Sequence, residues 1–208
     1  MFPGNPDPIA FPPGTGGGCV HSGPFSDMVV HLGPVVLPNY GPPGNFTMQE
    51  NPYLDNPRCL KRDLNGHFTR TFSSFRNTTN VLLTSPTYRD FDILLEADTR
   101  FITNDIGIHG GGHFTIGGDP GGDAFISPGD PAFYLHHAQV DRIYWIWQQL
   151  DFANRENDIW GTHTMLDMPP SANVTIDDVL DMGHLNEQVA IRDVMNTLSG
   201  TPLCYVYV

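Results

Sequence analysis

The chain is 208 residues and 23.0 kDa, room for one domain of ordinary size. Only 16% of residues are charged, and 22 glycines with 19 prolines imply much irregular backbone, which excludes a coiled coil and a charged disordered tail. The 23 acids against 10 bases give −13 and a pI near 4.8, a balance repelled by phosphate backbones and anionic lipid, so no nucleic acid and no membrane is expected as a partner.

Residues 1–14, MFPGNPDPIAFPPG, lack the basic start and apolar stretch of a signal peptide. No apolar run approaches the ~20 residues of a membrane span. Three Asn-x-Thr triplets, at Asn45, Asn77 and Asn173, fit a secreted glycoprotein. Either they are idle in a cytosolic chain, or the natural N-terminus lies upstream. Cys19, Cys59 and Cys204 form no CxxC pair, which removes zinc-ribbon and thioredoxin sites and allows at most one internal disulfide.

Residues 1–75 are dense in Pro, Gly and Asn and read as long loops with short extended pieces such as Met28–Leu32. Ser85-Pro86 is an N-cap and first-turn pair opening a helix through TYRDFDILLEAD. The stretch 101–129 is Gly-rich again. Asp130-Pro131 then opens the strongest helix, running to about Leu150 with Phe133, His137, Val140, Tyr144 and Trp147 on one stripe. TIDDVLDM (175–182) reads as a capped helix, and the terminal CYVYV as a strand.

Four of nine histidines fall between positions 109 and 137. His109 and His113 are four apart, which on a helix puts both imidazoles on one face, and His137 comes from the next helix. Asp141, one turn beyond His137, is placed to accept that ring's second N–H and fix its tautomer. Three neutral imidazoles suit zinc, copper, iron or nickel. HGGGH lacks the glutamate of a HExxH peptidase, no serine has the GxSxG setting an esterase requires, and no Gly run leads into Lys-Ser or Lys-Thr to cradle phosphate.

SPGDPAFYLHHAQVDRIYWIWQQLD (127–151) resembles the second copper-binding motif of the tyrosinase, catechol oxidase and molluscan haemocyanin family, and IHGGGHF (108–114) resembles the preceding half of that site in short fungal members. GPFSDMVVHLGPV (23–35) and NPRCLKRDL (56–64) resemble the region between the two copper motifs of fungal tyrosinases. The resemblance implies a mainly α fold, part of a four-helix bundle around a copper pair, with long Pro/Gly-rich loops and few short strands. It implies copper ligands His109, His113 and His137, with His136, Phe133 and Asp141 supporting them. Gly110, Phe114 and Ala124 fall at the family's substrate-pocket positions, and Asp105 is the nearest acidic candidate to orient a water.

The family's two coppers take three histidines each and act together on dioxygen, oxidising phenols or o-diphenols to quinones. The first-copper string, of the type HxxxxxxxPWHRxYLxxFE, has no match in 1–108. The chain is therefore expected to be a single incomplete copper domain over 1–208: an inter-motif region (1–84), copper-binding helices (85–151) and a C-terminal segment (152–208). One copper per chain, dependence on the missing N-terminal half, and a marginal or aggregation-prone chain follow. A phenolic substrate, dioxygen and an extracellular location are implied by resemblance. A haemocyanin-like oxygen carrier and an inactive mononuclear-copper fragment share the motif; HGGGH with small pocket residues favours the oxidase.

Overall fold

In the computed structural model the described residues are 12, 14, 15, 17–35, 51–102, 104–199 and 201–208. Asn45 and most of the Pro/Gly-rich stretch before Asn51 lie outside them. Five helices carry the structure: α1 (Gly66–Phe72), α2 (Phe75–Thr84), α3 (Tyr88–Glu96), α4 (Gly107–Ile116) and the long α5 (Ala132–Leu150). Two single-turn helices, α6 (Phe152–Arg155) and α7 (Ile191–Val194), follow. The strands are two-residue pairs: β1 (Gly18–Cys19) with β4 (Lys61–Arg62), β2 (Val29–Val30) with β3 (Arg58–Cys59), and β5 (Val179–Leu180) with β6 (Val189–Ala190), all antiparallel. The fold is mainly helical with few short strands, as the family resemblance implies.

Local chemistry sets the helix starts. Asn65 caps α1 by accepting from the His67 N–H at 3.0 Å. Ser74 and Asn77 form a reciprocal capping box on α2, and Thr87 caps α3 through the Asp90 N–H at 3.2 Å. Asp130 accepts from the Ala132 N–H at 2.8 Å, and Pro131 rather than Asp130 is the N-cap, so α5 starts one residue later than the Asp-Pro signal places it. The core lies between α2, α3, α4 and α5: Val81, Phe91, Leu95, Ile108, Ile143 and Trp147 are buried together, with Tyr88 and Tyr144 against them. Fully buried Trp147 donates its indole N–H to the Ser85 carbonyl at 2.8 Å.

Two buried ion pairs tie the strands to the loop between α4 and α5. Arg58 forks onto Asp119 at 2.6 and 2.7 Å, and Arg62 onto Asp130 at 2.7 and 3.0 Å. Asp119 is 1% exposed and Asp130 fully buried, so each carboxylate depends on its guanidinium for solvation. A Cys19–Cys59 disulfide joins β1 to β3, leaving Cys204 free and exposed.

Several local expectations are corrected. Helices α1 and α2 occupy part of the region expected to be loop-rich, because Asn65 and Ser74 start them despite the Pro/Gly-rich surroundings. Ser85 is the C-cap of α2, and α3 starts after Thr87. TIDDVLDM is not helical: Asp178 takes the Thr175 N–H and hydroxyl to close a turn, and the N–H groups of Ile191 and Arg192 claim the Asp178 and Ile176 carbonyls. CYVYV is extended but joins no ladder among the described residues; it lies along α5, where both tyrosine hydroxyls find partners.

Candidate metal centre

Helix α4 carries two of the predicted ligands on a backbone that favours helix poorly. Gly110, Gly111 and Gly112 each cost about 1 kcal/mol against Ala, and no side chain of its N-cap residue Ile106 bonds to the first turn. The helix is held from outside. Asp105 accepts from the N–H groups of Ile106 and Gly107 at 2.7 and 2.9 Å, and the Ser73 hydroxyl donates to the Ile108 carbonyl at 3.1 Å. A Cβ at Gly111 would lie 2.4 Å from Ser73 Oγ and 2.8 Å from Phe72 Cβ, so glycine there lets α1 and α4 touch.

His109, His113, His136 and His137 converge, with one nitrogen from each within 4.8 Å of the others. Nε2 of His113 lies 3.2 Å from Nε2 of His109 and 3.1 Å from Nε2 of His137. The far sides of two rings are fixed: Nδ1–H of His109 donates to Glu96 Oε2 at 2.7 Å, and Nδ1–H of His113 donates to the Gly121 carbonyl at 3.3 Å. Both Nε2 atoms therefore present bare lone pairs to one another, an arrangement that repels unless a cation lies between them. Donors 3.1–3.2 Å apart and ~2.0 Å from a shared ion subtend about 100°, close to tetrahedral. Burial pushes the His113 imidazole down to about 3 and that of His136 to about 4, and lowers His137 as well, so these rings are neutral near pH 7. The donor set fits copper, one of the imidazole-preferring ions.

Phe133 stacks on His137 with centroids 3.8 Å apart, fixing its ring plane. Nε2–H of His136 donates to the His109 carbonyl at 2.8 Å. Asp141 is turned elsewhere: its Oδ2 accepts from Tyr205 at 2.8 Å and Tyr207 at 2.5 Å, and no bond to His137 is present among the described residues. Asp105 is committed to the α4 backbone, and the acidic group that reaches the cluster is Glu96. Sequence reasoning missed Glu96 because it lies 13 positions before His109 on another helix; its place at the end of α3, facing the start of α4, was the available signal. Phe114 packs on Phe68 with centroids 5.4 Å apart, in the α1–α4 contact. Ala124 is exposed in the α4–α5 loop, and a Cβ at Gly110 would meet only Ile106, at 3.3 Å or beyond.

All nine histidines lie among the described residues, and no second group of three or more metal-competent side chains occurs there. His31 pairs with Asp55 at 2.7 Å and His163 with Asp178 at 3.6 Å; His21 and His184 are exposed, and His67 packs against Phe68 and Phe72.

Residues 1–150 match the family model for the common central domain of tyrosinase. The chain belongs to the tyrosinase family. It is 35% identical to Oxidase hkm6 of Aspergillus hancockii, over 97% of this chain and 69% of that protein. It is 34% identical to Tyrosinase P of Aspergillus terreus, over 98% of this chain and 56% of that one. Among solved structures, a polyphenol oxidase variant from Thermothelomyces thermophila superposes with a TM-score of 0.84 at 39% identity, over 96% of this chain and 54% of that one. This tyrosinase-family chain thus spans between about half and two-thirds of the length of these relatives.

Proposed function

We propose that the chain is a copper-binding part of a tyrosinase-type oxidoreductase, in which His109, His113 and His137 hold one copper ion through Nε2. The observation that carries this reading is the convergence of those three nitrogens with two rings anchored from behind. Copper, when bound, supplies one-electron steps with dioxygen, so oxidising a phenol or o-diphenol to a quinone draws on a pair of ions. The second ion would be bound outside the described residues, by a further segment or a partner chain, because the remaining histidines are dispersed.

The chain's own groups have definite tasks in this reading. Glu96 keeps the His109 proton on Nδ1, and the Gly121 carbonyl keeps the His113 proton on Nδ1, so both Nε2 lone pairs face the ion. Phe133 excludes water from one face of His137. Gly110 follows the ligand His109 and has no side chain, and a Cβ there would meet only Ile106, which supports room for a planar phenol at that end of the site. The Cys19–Cys59 disulfide supports an oxidising compartment, and thus a secreted protein. Among the described residues, exposed Asn173 is then the sequon open to a glycan, whereas Asn77 is engaged in the α2 capping box.

Catechol added to the Cu(II)-loaded chain tests the reading. The expected result is a changed copper electron paramagnetic resonance spectrum without oxygen uptake, because one ion cannot complete the two-electron step. An unchanged spectrum would overturn the phenol-binding site, and sustained oxygen uptake with two coppers per chain would overturn the half-site.

A further inference from the structure

The cluster contains four histidines, but whereas His109, His113 and His137 meet through Nε2, His136 commits its Nε2 to a backbone carbonyl. His136 Nε2 lies 2.8 Å from the His109 carbonyl, and a carbonyl only accepts, so Nε2 carries the proton. The rest of the ring packs against Gly112. A Cβ built on Gly112 would fall 2.0 Å from His136 Cε1 and 2.4 Å from Nδ1, which means the imidazole lies flat against α4 in the space a side chain would fill. It also stacks on the His109 ring, with centroids 5.6 Å apart, and meets His113 edge-on at 4.8 Å.

We infer that His136 is a positioning residue and not a fourth ligand: its hydrogen bond to the His109 carbonyl clamps the glycine-rich α4 onto α5 and so holds His109 in register for copper. The inference rests on the copper reading above and deepens it. The need for a clamp follows from composition, since three consecutive glycines leave α4 soft where its two ligands must be rigid. Ser73 holds the Ile108 carbonyl from the α1–α2 side. His136 holds the next carbonyl, that of His109, from the α5 side, using the lone pair left over from the helix's own ladder. Gly112 is the matching requirement, the one α4 position over which the clamp lies.

Three variants of the full chain test this: His136→Phe, His136→Gln and Gly112→Ala. Gln carries a donor near the position of the imidazole Nε2; Phe fills the space without one. Copper affinity is read by competition with a chelator and the Cu(II) paramagnetic resonance spectrum, and α4 rigidity by hydrogen exchange of its amides without metal. The clamp predicts one copper per chain in all three, with nitrogen couplings like those of the unsubstituted chain. It predicts binding weakened about 10- to 100-fold in His136→Phe and Gly112→Ala, faster α4 exchange in both, and recovery of both signals in His136→Gln. Loss of copper or of a nitrogen coupling in His136→Phe would make His136 a ligand and overturn the inference. So would a Gln variant no better than Phe, or a Phe variant as tight as the unsubstituted chain. Should the Phe variant not fold, the Gln and Ala variants decide alone. If the unsubstituted chain takes no copper while exchange in α4 still follows the donor at 136, the copper reading falls and the clamp stands.

Discussion

Two carboxylates near the end of α3 behave oppositely. Glu96 accepts the His109 Nδ1–H at 2.7 Å, which keeps the proton on Nδ1 and leaves the nitrogen on the far side of that ring as the one facing the cluster. Replacing it by Leu is expected to weaken copper binding about 10- to 100-fold, while Gln, which still offers an acceptor, should lose less; a chelator competition titration reads both. One turn earlier, Asp92 is pushed up to about 6, first by burial and then by the charges of Glu96 and Asp98. The folded state prefers Asp92 protonated, so its contribution to stability is present below about pH 4, declines as pH rises through about 6, and stays lost above that. Asp92→Asn should therefore raise stability by on the order of 1 kcal/mol at pH 7.5, the partly exposed carboxyl being screened by solvent, with little change at pH 4. Urea unfolding at the two pH values measures it, and an equal effect at both would contradict the assignment.

At the scale of elements, the site depends on where α5 begins. Asp130 accepts the first N–H of that helix while held by the Arg62 fork, so one buried carboxylate fixes both the helix start and the loop that carries Gly121. Arg62→Ala would leave that carboxylate buried without its counter-charge. The expected loss is about 3 kcal/mol, read as a lower urea midpoint, and copper affinity should fall with it because the His137 ring rides on α5. Helix α5 was legible in the sequence because Asp-Pro and a long apolar stripe agree on its position. Helix α4 was legible only through its histidines, since three glycines erase the propensity signal and the stabilising groups come from Ser73, Asp105 and His136. The segment 175–182 misleads for the opposite reason: its composition suits a helix, but the Asp178 side chain satisfies Thr175 locally and the first residues of α7 claim the neighbouring carbonyls. The tyrosines of CYVYV carry an alternating pattern without a strand partner, and they divert Asp141 from the histidine its spacing suggested.

For the whole molecule, the disulfide and the exposed apolar surface set the stability. Cys19 and Cys59 are 40 residues apart, and closing that span constrains the unfolded chain by about 4 kcal/mol on the loop-entropy account. Reduction, or Cys59→Ser, is expected to lower the unfolding midpoint accordingly. Phe75 on α2 is 87% exposed and Leu135 on α5 77%, and Leu83 and Tyr134 on the same two helices are exposed as well. These side chains should make the chain self-associate, and Phe75→Gln with Leu135→Gln should reduce light scattering without weakening copper binding. The family and the converging histidines were readable from HGGGH and DPAFYLHHAQVD. Glu96 and the clamp geometry of His136 were not, because they depend on how α3 and α5 pack against α4.

The most direct measurement is copper content by elemental analysis after loading with Cu(I) under nitrogen and desalting. One copper per chain is predicted, abolished in His109→Ala, His113→Ala and His137→Ala and retained in His136→Phe. No bound copper, or copper that survives loss of His109 and His137, would contradict the site; two coppers per chain would show that the chain builds a complete pair.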